Sequence, residues 1–382
     1  MPHLSFLLLI LRLIRNGIRY RYLKFIGSPS KPTSLSLEVT QKCIARCIMC
    51  NIWKISRNTA DLPMNDWLDL LASPLLGGLR ELDITGGEPF IREDLLDLIE
   101  GVALLKENKL KRLRSVAITT NGLLTQHVLE TTPKMADILG KKGVDLVIVC
   151  AMDGVGAVHD QIRNVRDAWG KVNRTIQGLR EVRDSHMNLV LGLKATVLPQ
   201  NVNELERITI YANENGLFTI ISPCIITENR YQNLDQRDKL TFSQAEIERV
   251  IQFYQRDYFQ WDFHRDRLLN YFRKGVMKKP CSAGFNYLFI RSGGDVYPCP
   301  LIKTKLGNFK KTAIEEMFIS KKAYQFRRRV GRYKECGLCT EPGLERYALP
   351  FEGFVYLSLM AKMGKKDFVE LHKHMGLDKY FS

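Results

Sequence analysis

The stretch Cys43-Ile44-Ala45-Arg46-Cys47-Ile48-Met49-Cys50 places three thiols within eight residues. They stand just past Leu35–Val39, an apolar alternating run with the character of a strand. Thiols this close together at a strand end can close on one inorganic centre. Zinc usually takes its cysteines in pairs and wants a fourth protein ligand. Here the spacing is three residues and then two, with no histidine or fourth cysteine beside it. Three thiolates can instead hold three irons of a four-iron cluster. The fourth iron is then open to a small-molecule ligand.

Four further thiols lie downstream. Cys281 follows Pro280, and Cys299 closes Val296-Tyr297-Pro298-Cys299. Between them, Tyr287–Ile290 and the glycine turn Arg291-Ser292-Gly293-Gly294-Asp295 predict a hairpin that brings these two cysteines together. Cys336-Gly337-Leu338-Cys339 follows. Four thiols in two groups suit zinc or a second iron–sulfur cluster, and spacing alone does not choose. The remaining two are Cys150 and Cys224. An exported disulfide scaffold would be shorter and evenly paired, whereas this chain has nine cysteines. The expectation is a reduced, cytoplasmic protein.

These residues need elements to hold them. From Leu35 the pattern alternates strand and helix. Strand-like runs are Leu35–Val39, Leu79–Thr85, Ser115–Thr119, Asp145–Met152, Leu189–Val197 and Leu217–Ile226. Helical stretches such as Pro63–Leu71 and Ala168–Ser185 lie between them. Six β/α units in succession predict a parallel sheet with helices outside, curved or closed. Chemistry in such sheets sits at the carboxyl ends of the strands, and the cysteine stretch is at one such end. Two more strand ends carry turns: Thr85-Gly86-Gly87-Glu88-Pro89, and Thr119-Thr120-Asn121-Gly122. Paired glycines permit tight turning and exposed backbone near a ligand. The fourth strand ends Cys150-Ala151-Met152-Asp153-Gly154. Strand alternation points Cys150 and Ala151 opposite ways, so Cys150 is expected in the core if Ala151 faces the centre.

Together these motifs resemble the radical SAM superfamily over about residues 35 to 340. The resemblance implies a partial (β/α)6 TIM-like barrel with a small C-terminal hairpin-plus-helix iron–sulfur domain. It implies a [4Fe-4S] cluster on Cys43, Cys47 and Cys50 that binds S-adenosylmethionine (SAM). Gly86, Gly87, Glu88 and Pro89 then receive the SAM amino group, Asn121 lines the site, Met49 lies near adenine, and Arg163 pairs with the SAM carboxylate. Lys194 is a further cofactor contact. Many relatives have serine where Ala151 stands, so that contact is absent. The downstream cysteines resemble the SPASM extension. None follow Cys339, so the shortened twitch form is expected, with one auxiliary [4Fe-4S] cluster on Cys281, Cys299, Cys336 and Cys339. The implied reaction is reductive cleavage of SAM to a 5′-deoxyadenosyl radical that removes hydrogen from an unactivated C–H bond. A low-potential donor of flavodoxin or ferredoxin type supplies the electron. Cys224, at the end of the sixth strand, is a candidate for donating or accepting hydrogen, and Glu228 a candidate base.

The expected organisation is a basic amphipathic segment and linker at 1–32, the core barrel at 33–240, a helical connector at 241–279, the auxiliary cluster domain at 280–345 and a helical tail at 346–382. The formal net charge of +16 comes without any nucleic-acid-binding signature, so no nucleic acid partner is expected. Leu4 to Leu11 is apolar but too short to span a bilayer. Arg12, Arg15 and Arg19 follow on one helical face. That suits a helix lying on an anionic membrane surface, or one docked on the enzyme itself. The substrate is therefore expected to be anionic or membrane-associated, bearing a lipid or phosphate, with the protein peripheral on the inner face of the membrane. The competing readings are a peptide- or protein-modifying maturase and a non-catalytic zinc-binding scaffold.

Overall fold

The computed structural model describes residues 3–55, 61–256 and 263–377. Nine strands form one sheet: β1 Ser34–Thr40, β2 Glu81–Gly86, β3 Ser115–Thr120, β4 Asp145–Ala151, β5 Leu189–Val197, β6 Phe218–Pro223, β7 Tyr287–Ile290, β8 Asp295–Tyr297 and β9 Gly307–Asn308. Their order is β6-β5-β4-β3-β2-β1-β7-β8-β9. β1 to β6 pair in parallel, each with its neighbour in sequence. The chain returns between them through helices such as Leu95–Asn108, Thr125–Gly140 and Ala168–Ser185, as parallel pairing requires. This is the parallel sheet with outer helices that the β/α alternation predicts, and the partial barrel that the resemblance implies.

Side-chain parity explains where the chemistry goes. In β1, Leu35, Leu37 and Val39 join the core under the helices. Ser36, on the opposite parity, donates to Asp83 of β2 at 2.8 Å. In a surface sheet the polar half of such an alternation meets water. Here all of β1 is buried, and the polar half faces the barrel interior. The registered pairs Glu38–Thr85, Val149–Gly192 and Lys194–Ile220 keep this parity from strand to strand. At the strand ends it delivers Thr85, Thr119, Ala151, Lys194, Thr196 and Ser222 to one cavity.

The predicted hairpin forms, since β7 and β8 are antiparallel. It is not a sheet of its own, because β7 also pairs in parallel with β1 and extends the barrel sheet. All four residues of β7 are buried, and an isolated two-stranded hairpin could not cover them. Of the predicted connector, Gln244–Tyr254 and Arg265–Lys274 are helical, while 257–262 lie outside the described residues. Its aromatic residues serve as core: Tyr254 is buried and donates to the Ile221 carbonyl at 2.9 Å.

The N-terminal helix His3–Ile26 lies on the C-terminal helices Pro342–Glu352 and Phe354–Met363. Leu9 and Leu13 pack with Leu349 and Tyr356. Tyr20 stacks edge-on against Phe285 and Phe351, each at 5.3 Å between ring centroids. Its hydroxyl donates to the Cys281 carbonyl at 2.7 Å. The C-terminal helices thus act as the cap to which the first helix is fixed.

Candidate active site

One cavity opens at the carboxyl ends of the barrel strands and holds about 1060 Å³ of empty space, its mouth included. Cys43, Cys47 and Cys50 line it together with Met49, Trp53, Gly86, Gly87, Asn121 and Arg163. The cysteine loop is anchored on two sides. The Arg46 and Ile48 amides donate to the carbonyls of Arg163 and Ile162, each at 3.0 Å. On the other side, the Gly87 amide donates to the Thr40 carbonyl and the Glu88 amide to that of Lys42, both at 2.8 Å. A Cβ at Gly87 would lie 2.2 Å from the Lys42 carbonyl oxygen, and one at Gly86 would lie 2.3 Å from that of Thr40. Glycine at these two positions is therefore what lets the second strand-end turn pack on the backbone leading into the thiols.

The donor set fits a cluster. Burial pushes Cys43 up to about 11 and Cys50 up to about 12, with neighbouring Cys47 adding to both. Iron held by these thiols would have to displace their protons. All three line the same cavity. The Asn121 amide reaches Cys43 Sγ at 3.8 Å, and the Arg163 guanidinium reaches Cys47 Sγ at 3.6 Å. Trp53 lines the cavity with Arg46 stacked over its ring at 4.9 Å. Its buried indole N–H has no partner among the described residues. An aromatic face and an unspent donor suit a bound nucleoside.

Two expected SAM contacts have other duties. Glu88 does not line the cavity. Its carboxylate is wholly buried and accepts from the Phe90 amide (3.2 Å), the Thr120 hydroxyl (2.8 Å) and the Asn121 amide (2.7 Å). It pins the β3 strand end, and with it Asn121, to the glycine turn. Pro89 does not line the cavity either, since it opens the short 3-10 helix Pro89–Ile91. Glu88→Ala would leave three donors without their acceptor. At about 1–3 kcal/mol each, we expect a loss of about 3 kcal/mol or more in chemical denaturation, with Asn121 displaced and SAM binding weakened.

Arg163 lines the cavity, yet its guanidinium is committed to Asp153 at 2.7 Å. Burial alone would lower its pKa, but Asp153 and then Cys47 outweigh this and raise it. Asp153 is fully buried and also accepts from the Thr196 amide at 2.7 Å. His159 accepts from the Asp153 amide at 3.0 Å, and burial holds its pKa down at about 2. That neutral ring is structural. Cys150 sits in the core while Ala151 lines the cavity, as strand alternation predicts.

Lys194, Cys224, Arg230, Tyr231 and Glu341 also line this cavity. Glu341 raises the Lys194 pKa. Burial would raise Glu341, but Lys194, Arg230 and Lys279 outweigh it and lower it. Arg230 also donates to the Thr85 hydroxyl at 3.1 Å. Burial pushes the Cys224 thiol up to about 12, so it is a thiol, not a thiolate. Glu228 is the expectation that fails. It is 52% exposed, outside the cavity, and paired with Lys303. Only three residues separate it from Cys224, but Asn233 folds that loop back by bonding the Met49 and Ile225 carbonyls (2.8 and 3.1 Å), and Glu228 ends outside. Sequence reasoning missed Arg230, Glu341 and the role of Asp153. Position two after Cys339 was the one available signal for Glu341.

Cys281, Cys299, Cys336 and Cys339 line a second cavity with about 1050 Å³ of empty space, its mouth included. Burial pushes Cys281 up to about 12 and raises Cys299 and Cys336. Lys279 lines this cavity too, and its ammonium bonds the Glu341 carbonyl. Glu341 is thereby tied to both chambers, facing the first and bonded at its backbone to the wall of the second.

Residues 37–211 match the family model of the radical SAM superfamily, and residues 281–340 match that of the SPASM iron–sulfur cluster-binding domain. Among curated proteins, the PqqA peptide cyclase of Gluconobacter oxydans is 28% identical over 284 residues, 71% of each chain. The AdoMet-dependent heme synthase of Methanosarcina barkeri is 23% identical, over 82% of this chain and 90% of its own. Among solved structures, Streptococcus suis SuiB bound to S-adenosylmethionine aligns with a TM-score of 0.59 at 17% identity, covering 85% of this chain and 76% of that one. Native anSMEcpe with bound AdoMet aligns at 0.57 and 18%, covering 92% of this chain and all of that one. The likeness to the solved structures is one of fold. With both family models matched in chain order, the two sets of thiols each around its own cavity, and the glycine turn packed on the cysteine loop, the chain belongs to the radical SAM superfamily, as an enzyme with SAM and iron–sulfur cofactors and a SPASM-type C-terminal module.

Proposed function

We propose that Cys43, Cys47 and Cys50 carry the SAM-cleaving cluster and that Cys281, Cys299, Cys336 and Cys339 carry one auxiliary cluster. Bound there, the first cluster and SAM would supply a 5′-deoxyadenosyl radical when a flavodoxin- or ferredoxin-type donor gives one electron. The chain's own part is to orient the substrate C–H bond and keep water out. Gly86 and Gly87 offer backbone to the SAM amino group, Asn121 and Arg163 steady the thiolates, and Trp53 and Met49 wall the nucleoside. The substrate enters against Lys194, Arg230 and Cys224.

The observation that supports the substrate reading is the pair of half-buried cations, Lys194 and Arg230, lining the same cavity as the thiols, with Glu341 between the two chambers. Lys194 and Arg230 offer cationic donors at the cavity surface, and a lipid- or phosphate-bearing anion fits against them. The enzyme would then work peripherally on a membrane's inner face. A second reading has one specific support. PqqA peptide cyclase, at 28% identity, acts on a peptide by its name, so a peptide maturase is the alternative.

Deuterium transfer separates them. Reconstituted enzyme, SAM and reductant are incubated with deuterated anionic lipid extract or with deuterated peptide extract from cells. We expect deuterium in 5′-deoxyadenosine from the lipid fraction, and a drop of at least about tenfold with Lys194→Met. Label from the peptide fraction alone would replace the lipid reading by the maturase one.

A further inference from the structure

The helix His3–Ile26 has two apolar faces, and the fold uses only one. Leu9, Leu13, Tyr20 and Leu23 are buried against the C-terminal helices and the hairpin. Gly17 lies on that side too, where a Cβ would strike the Phe354 ring at 2.6 Å. At about 100° per residue, Leu7, Leu11, Ile14, Ile18, Tyr22 and Phe25 fall on the side directly opposite. They are 37% to 75% exposed. Single exposed apolar residues are ordinary, but a contiguous stripe marks an interaction surface. Steps of four, three, four, four and three residues keep this stripe in line for five turns.

Charge identifies the partner. Arg12, Arg15 and Arg19 flank the stripe on one side and Arg21 on the other, all exposed. The helix has no acidic residue. Past Phe25 the surface continues into the basic helix Lys321–Arg329, whose Arg328 bonds the Phe25 carbonyl. The back of one helix is a convex ridge, which a deformable headgroup layer can accept along its whole length. No helix among the described residues is long and apolar enough to cross a membrane. An apolar ridge between rows of arginine is the arrangement of a helix that lies in the interface.

We infer that this stripe is a docking surface for an anionic lipid bilayer, with the helix parallel to the membrane plane. The inference stands apart from the substrate reading, because it requires nothing of the catalytic cavity. The helix is rigidly placed: Tyr20 bonds the Cys281 carbonyl, and Lys24 lines the auxiliary cavity. Docking would therefore hold the auxiliary module next to the headgroups.

The test is co-sedimentation of the full-length reconstituted protein with vesicles of phosphatidylcholine alone or mixed with phosphatidylglycerol. We expect binding to the mixed vesicles only, weakening as salt is added. Ile14→Asn/Ile18→Asn is expected to weaken binding at least about tenfold. Arg12→Glu/Arg15→Glu is expected to weaken it about fivefold or more. Ile14→Asn/Ile18→Asn should keep wild-type iron content and melting temperature, since these two side chains are exposed. Three results would overturn the inference: equal binding to both vesicle types, no binding, or a wild-type dimer that Ile14→Asn/Ile18→Asn dissociates. The last would make a second copy of the chain the occupant.

Discussion

Changing Cys43, Cys47 and Cys50 together to alanine is expected to abolish SAM cleavage and remove about half the protein's iron. Two four-iron clusters carry ~8 irons per chain and one carries ~4. The two sets of thiols line separate cavities, so the triple variant should keep the auxiliary iron. The protein should also keep its fold. The cysteine loop is held by backbone bonds to Ile162, Arg163 and the glycine turn, which do not use the thiols. Iron and sulfide content after anaerobic reconstitution, with 5′-deoxyadenosine formation, decides the matter. If wild type holds only ~4 irons and the variant none, the C-terminal thiols do not carry iron, and an electron-accepting role for them is lost. If zinc alone is found, the scaffold reading replaces the enzyme.

That prediction rests on what was most legible in the sequence. A thiol's chemistry is fixed by its type, and three thiols within eight residues at a strand end leave little freedom of placement. The barrel was legible for a related reason. Strand parity put Ala151 in the cavity and Cys150 in the core, and parity needs no knowledge of distant contacts. The substrate wall was not legible. Lys194 comes from β5, Arg230 from a loop after β6, and Glu341 from beyond the second CxxC pair. Their meeting depends on how the C-terminal module closes over the barrel. Glu88 was legible in place but not in orientation. Its three donors belong to neighbouring turns, and only the packed structure shows that they consume both oxygens. Glu228 misled because closeness in sequence to Cys224 stood in for closeness in space.

Arg163 carries the other large expected effect, and here fold and cofactor binding can be separated. Its guanidinium pairs with Asp153 at 2.7 Å in a fully buried setting. Removing one partner of a buried pair typically costs about 3–5 kcal/mol, because the other charge stays behind. Arg163→Met should therefore destabilise the protein by roughly that amount. Burial already raises the Asp153 pKa, and Arg163 is its largest counterweight, so the variant's carboxyl should rise further. A carboxyl with a raised folded pKa holds its proton in the folded state. The variant should then be most stable below about pH 4, the unfolded value, and lose stability as pH rises through the folded one. Asp153→Leu added to Arg163→Met removes the stranded charge. Replacing both partners by apolar groups is often neutral or stabilising, so the double variant should recover most of the stability and lose the pH slope. SAM binding is the remaining readout. If Arg163 also clamps the SAM carboxylate, the refolded double variant should still bind SAM at least about tenfold more weakly, the loss expected for a charged hydrogen bond. If it binds SAM normally, Arg163 serves the fold and the Cys47 thiolate alone, and the carboxylate contact passes to Lys194 or Arg230, the other cations lining the cavity.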